Sequence, residues 1–135
     1  MNHPAEVIAR TAGALSRKLG RGGGTSLPGK LLLRMRPEAL AELGAELPRG
    51  VTLVSATNGK TTTARLLSAC ARRAGWDPVT NPSGANLLSG VATALLDAQG
   101  RRPAPDSALF EVDEAALTEV ARQLPPRVLL LMNLF

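Results

Sequence analysis

The chain has 135 residues, enough for one domain, and 44% of them are hydrophobic, which allows a packed core and excludes wholesale disorder. Its aromatic residues are Trp76, Phe110 and Phe135, so the core is aliphatic and base-stacking recognition of nucleic acid has almost nothing to work with. The net charge of +5 is concentrated in residues 1–36, where Arg10, Arg17, Lys18, Arg21, Lys30, Arg34 and Arg36 face the single acid Glu6; such a segment suits a polyanion, a phosphate-bearing lipid, or simply a solvated helix face and loop.

Cys70 stands alone, so these residues complete neither a disulfide framework nor a cysteine zinc site. No stretch approaches the roughly 20 apolar residues of a spanning helix, and the N-terminus lacks the apolar run of a signal peptide. A cytoplasmic chain without a transmembrane segment is the expectation.

In chain order, residues 4–19 read as a helix, with Pro4 in its first turn and Val7, Ile8, Thr11, Leu15 and Leu19 at helical spacing. Gly20-Arg21-Gly22-Gly23-Gly24-Thr25 breaks it, and Pro28-Gly29 reads as a turn. Leu31-Leu32-Leu33 is an apolar piece that periodicity does not assign. Pro37-Glu38 opens a helix to about Leu47, closed by Pro48-Arg49-Gly50. Val51–Val54 is a buried strand, 60–74 a helix stopped by Gly75, and 77–80 a short strand. A helix over 86–99 ends at Gly100, and Ala108-Leu109-Phe110 is a strand running into acids. Asp113 or a neighbour caps a helix to about Gln123, Pro125-Pro126 end it, and 127–132 is a last strand. This alternation predicts an α/β fold, a mostly parallel sheet with helices on both faces. The division expected is a basic, helical and glycine-rich segment over 1–48 and a nucleotide-binding domain from 49 to 135. The apolar run ending at Phe135 has no covering helix after it, so it reads as cut rather than finished.

The residues that carry chemistry begin at Ser55-Ala56-Thr57-Asn58-Gly59-Lys60-Thr61-Thr62, between a strand and a helix, the context a phosphate loop requires. Backbone N–H groups of Thr57 through Thr62 and the helix dipole favour phosphate, and Gly59 allows close approach of the backbone. Lys60 reaches the β- and γ-phosphates of ATP, and the Thr61 hydroxyl is a candidate Mg²⁺ ligand. The general pattern wants a glycine five places before Gly59, where this chain has Val54. Glu111, at the end of a strand, is the candidate carboxylate for the same Mg²⁺; Asp113 and Glu114 are accounted for by an acidic first helical turn. Asn81, Ser83 and Asn86, in Asn81-Pro82-Ser83-Gly84-Ala85-Asn86, are candidate substrate contacts or a turn with a helix cap. Cys70 is expected in the core.

With these residues in hand, the chain resembles the Mur ligases, whose loop reads Gly-Thr-Asn-Gly-Lys-Thr; Ala56 replaces the first glycine here. Within them it is similar to the MurT-type subunits of lipid II isoglutaminyl synthases. Carrying that likeness are Ala12-Gly13-Ala14-Leu15-Ser16-Arg17, the Gly20–Thr25 cluster, Asn81 through Leu88, Glu111-Val112-Asp113-Glu114 and Met132-Asn133-Leu134-Phe135. The resemblance implies a P-loop central domain and an ATP-dependent, carbon–nitrogen bond-forming enzyme of peptidoglycan biosynthesis. It implies activation of the D-glutamate α-carboxylate of lipid II as an acyl phosphate, at the inner face of the membrane. Ammonia from a GatD-type glutaminase partner then gives D-isoglutamine. It implies ATP and Mg²⁺ as cofactors, Lys60 as the catalytic cation and Glu111 as a magnesium ligand. In the family the central domain continues through a four-cysteine zinc ribbon to a C-terminal domain, so catalysis by these residues alone is not expected. Competing expectations are another Mur ligase, a folylpolyglutamate synthase, or a nucleotide-binding module without ligase activity. A basic nucleic-acid binder is disfavoured by the scarcity of aromatics.

Overall fold

A computed structural model of the protein describes residues 3–18 and 26–133, with the backbone alone for 16–18. The Gly20–Thr25 cluster, Leu19, Leu134 and Phe135 lie outside the described residues, as do the side chains of Arg17, Lys18 and Arg21. Strand β1 (Val51–Ser55) is an almost wholly buried run at the centre of a four-stranded sheet. Its neighbours are β2 (Pro78–Thr80), β3 (Ser107–Glu111) and β4 (Val128–Leu131), in the order β2–β3–β1–β4. All three pairings are parallel, with Val54 opposite Glu111 and Leu130 in its two neighbours. The carboxyl ends of β1, β3 and β4 therefore open on one edge, where ligands collect in open α/β sheets.

Helices α4 (Lys60–Arg73), α5 (Leu88–Ala98) and α6 (Glu114–Gln123) make the crossovers. Helix α5 is the core helix: Val91, Ala92 and Leu96 are fully buried, and residues 90–96 show no exposed face. Val51 and Leu53 of β1 and Ala108 and Phe110 of β3 share one hydrophobic cluster with it. Alternate residues Thr52, Leu109 and Leu130 line an apolar groove with Leu67 and Ala71 of α4. Edge strand β4 leaves Val128, Leu129 and Leu131 exposed.

Helices α1 (Pro4–Lys18), α2 (Leu27–Met35) and α3 (Ala39–Ala45) pack on α5, and Ala9, Leu32, Leu40 and Leu43 belong to the same cluster. Helix α1 is in place as expected, but it buries a different face. Val7, Ile8 and Leu15 are exposed, while Ala5, Ala9 and Gly13 are buried at four-residue spacing. Small residues let α1 approach Pro28 closely at Gly13. Polar ties fix the orientation: Arg10 donates to the carbonyls of Leu96 (3.0 Å) and Gln99 (2.9 Å) at the C-terminus of α5, and Arg36 pairs with Glu6 at 3.1 Å. Two of the cations in the basic segment are thus structural.

Pro28-Gly29 is the first turn of α2 rather than a separate turn. Proline is tolerated there because its missing N–H has no helical acceptor. Glycine is needed because a Cβ at position 29 would run into the backbone of Ser89 in α5. The unassigned leucine run is the body of this helix, with Leu32 fully buried. Cys70 is exposed, contrary to the expectation of core packing. Helix α4 buries only Ser68 fully and touches the sheet along one side, which leaves Cys70 on its flank beside the apolar groove.

Candidate nucleotide site

The loop from β1 into α4 starts after Ser55, whose buried hydroxyl donates to the Val112 carbonyl at 2.9 Å. Val54 is fully buried within β1, so the position where a longer phosphate loop has glycine is still strand here. Gly59 turns the chain with φ +85°, a left-handed conformation that a side chain disfavours. It is also the N-cap of α4, and no side chain caps the first helical turn. The N–H groups of that turn, with the positive end of the helix dipole, face the edge of the sheet.

Lys60 sits at the start of α4, with its ammonium donating to the Ala56 carbonyl and to Glu114 Oε2, the latter at 3.1 Å. Glu114 lies in the first turn of α6, so this contact spans the loops that follow β1 and β3. Its own backbone N–H, then Lys60 and the Thr57 hydroxyl, hold the Glu114 carboxyl below the usual glutamate range. Asn133, just past β4, braces the loop from the other side. Its carbonyl accepts from the Thr57 N–H at 2.8 Å and its Oδ1 from the Asn58 N–H at 3.2 Å.

Glu111 ends β3 directly beside Val54 and is 5% exposed. Asn81 fixes its backbone in both directions: Asn81 Oδ1 accepts from the Glu111 N–H (3.0 Å), and Asn81 Nδ2 donates to the Glu111 carbonyl (2.8 Å). The same Nδ2 also donates to the Ala85 carbonyl at 2.8 Å. Thr61 and Glu111 line one cavity of about 260 Å³, with Asn81 and Ser83 on its rim. Asn86 stands apart from that lining and gives its carbonyl to the Asp113 N–H at 3.0 Å. Asp113 is the N-cap of α6, its Oδ1 accepting from the Ala115 N–H at 3.1 Å.

A hydroxyl and one carboxylate on a shared cavity suit Mg²⁺, which takes one or two carboxylates and draws its other ligands from phosphate and water. Among the described residues no three His, Cys, Asp or Glu side chains gather into a metal cluster. No helix among them is long and apolar enough to cross a membrane.

Two contributors to the site escape sequence reasoning. Glu114 reads locally as a helix-dipole acid, and its contact with Lys60 joins residues 54 apart. Asn133 meets Asn58 across 75 residues. Neither leaves a local signal beyond lying after a strand.

No family model matches the chain. Among curated proteins it is 32% identical over 129 residues to the lipid II isoglutaminyl synthase (glutamine-hydrolyzing) subunit MurT of Streptococcus pneumoniae, covering 96% of this chain. It is 30% identical over 128 residues to the MurT subunits of two Staphylococcus aureus strains, N315 and COL, covering 95% of this chain. It spans 28% of the length of each of these relatives. Over nearly all of its residues, then, the chain is similar to a segment of the MurT subunits of lipid II isoglutaminyl synthases.

Proposed function

We propose that this chain provides the nucleotide-binding half of an ATP-dependent amide ligase acting on the peptide stem of lipid II. The observation that carries the reading is the meeting of three parts at one sheet edge: the uncapped start of α4, Lys60, and the Thr61–Glu111 cavity. The likeness to MurT subunits supplies the substrate class. Backbone N–H groups of residues 57–62 hold the phosphates of ATP. Lys60 leaves Glu114 and the Ala56 carbonyl to bind the β- and γ-phosphates, where its charge offsets that developing on the transferred group. Thr61 and Glu111 hold Mg²⁺, which neutralises phosphate charge when bound. The D-glutamate α-carboxylate attacks the γ-phosphorus and ADP leaves; ammonia then attacks the acyl carbon of the acyl phosphate, the C–O bond to phosphate breaks, and loss of a proton from nitrogen gives the amide and inorganic phosphate. A GatD-type glutaminase supplies the ammonia from glutamine. A closed cleft must shield the acyl phosphate from water until then.

The test is a chimera in which this chain replaces the matched segment of the S. pneumoniae subunit. It is incubated with a GatD-type partner, lipid II, glutamine and Mg·ATP, and the stem peptide is read by mass spectrometry. D-isoglutamine forms, and Glu111→Ala in the chimera abolishes it. Unchanged amidation by the Glu111→Ala chimera would overturn the assignment of the metal ligand. A folded chimera without any amidation would overturn the substrate.

A further inference from the structure

The cavity at Thr61 and Glu111 extends along α4 beyond the residues assigned above to the nucleotide. Thr61, Arg65, Ser68 and Arg72 line it at spacings of four, three and four residues, a single stripe of the helix. Opposite stands Ser83, from the loop after β2. Arg65 and Arg72 are exposed and have no carboxylate partner among the described residues. The contrast is with Arg36, Arg49, Arg101 and Arg122, which are each paired to an acid. Ser68 is 3% exposed, and its buried Oγ has no hydrogen-bond partner. A helical serine can satisfy its hydroxyl on the preceding turn; the unmade bond here leaves Ser68 with a hydrogen bond to give.

We propose that this stripe is a subsite for a carboxylate of the acidic acceptor peptide, with Arg65 and Arg72 supplying charge and Ser68 a hydrogen bond. The subsite rests on the ligase reading, since it places an anionic acceptor next to the phosphates of the nucleotide. Arg65 lies one helical turn from Thr61, and Arg72 about 16 Å from it along the axis at ~1.5 Å per residue. A peptide with one carboxylate at the reacting phosphate therefore lays its next one beside Arg65 and Ser68, about 6–10 Å along the axis, with Arg72 adding charge at the far end. Glu111 faces the same cavity and repels a carboxylate at its near end, which leaves the arginine stripe as the favourable place for one.

The experiment uses the isotope-labelled 135-residue chain and follows amide shifts by NMR. Mg·ADP is added first, then the tripeptide L-Ala-γ-D-Glu-L-Lys, or inorganic pyrophosphate in a parallel arm. Shifts at Gly59 through Thr62 with Mg·ADP establish the loop independently; their absence would bring down the ligase reading itself. With the loop saturated, the tripeptide shifts Ser68 and Ser83. Its Kd rises about tenfold or more in Arg65→Gln/Arg72→Gln, as loss of a charge-assisted contact requires, while Mg·ADP affinity is unchanged. Tripeptide affinity unmoved by that double substitution would overturn the subsite while leaving the ligase reading intact. Binding of pyrophosphate but not of the tripeptide would overturn the carboxylate assignment. Ser68→Ala, which removes only the unpaired hydroxyl, keeps the fold at equal or higher stability and weakens the tripeptide; unaltered affinity counts against the proposal.

Discussion

Gly29→Ala tests how α2 is joined to α5 and through it to the sheet. A Cβ at this position would overlap the Ser89 carbonyl oxygen and lie 2.9 Å from Ser89 C and 2.8 Å from Thr93 Oγ1, where ordinary contacts begin at 3.4 Å. The obstacle is helix backbone, so α2 must lift from α5 by on the order of 1 Å. Overpacking of this kind costs about 1–3 kcal/mol. Lifting also breaks the buried hydrogen bond from the Gly29 N–H to Thr93 Oγ1, 2.9 Å long, for about 1 kcal/mol more. Alanine returns roughly 1 kcal/mol through helix propensity. The net loss is about 1–3 kcal/mol, which at an m-value of about 1–3 kcal/mol/M moves the urea midpoint down by on the order of 1 M. Circular dichroism of the chain in urea reads it directly. A midpoint unchanged or raised, as propensity alone dictates, would show that α2 does not lie on α5 and would refute the shared core.

Glu114→Gln keeps the shape of the brace but removes the charge facing Lys60; Mg·ATP then binds tighter, because the lysine no longer leaves an anion to reach the phosphates, and weaker binding in calorimetry would contradict that order of events. Asn81→Ala strips both hydrogen bonds from the backbone of Glu111; it destabilises the chain by about 1–3 kcal/mol and weakens the Mg²⁺ dependence of nucleotide binding, and a fully stable variant with unaltered Mg²⁺ dependence would argue that Asn81 does not position Glu111. The Glu114 carboxyl is held low by its own N–H, Lys60 and Thr57, so its contribution to stability is present above the usual glutamate range and is lost as pH falls through its folded value. Carbon NMR of that carboxyl therefore shows a midpoint below the usual range that climbs in Lys60→Ala; a normal midpoint indifferent to Lys60 would remove the ion pair.

Much of the chain from Val51 onward is legible in the sequence because its signals are local. A β-branched run marks β1, Gly75 and Gly100 close two helices, and Asp113 caps α6 where the acids begin. The N-terminal third is harder to read. In α1 the large apolar residues face outward and the small ones inward, because backbone approach to α2 and the Arg10 and Glu6 ties outweigh hydrophobic burial at Val7, Ile8 and Leu15. In α2 three leucines in a row carry no periodicity, and Pro28-Gly29 has the composition of a turn while serving a close helix crossing. At the site, Thr61 is found from the phosphate-loop motif and Glu111 from its place at a strand end, and the two line one cavity. Glu114, Asn133 and the Arg65–Ser68–Arg72 stripe depend on long-range packing that no local pattern encodes.

The claim on which the account turns is that Lys60 belongs to a phosphate loop. Its most direct test is isothermal calorimetry of Mg·ATP with the chain and with Lys60→Ala, both first shown by circular dichroism to be folded. Lys60 is a helix-start side chain contacting a carbonyl and a partly exposed carboxylate, so its loss leaves the fold intact. The native chain binds one Mg·ATP saturably, and the folded Lys60→Ala variant binds none. Equal affinity in the two proteins would contradict the claim.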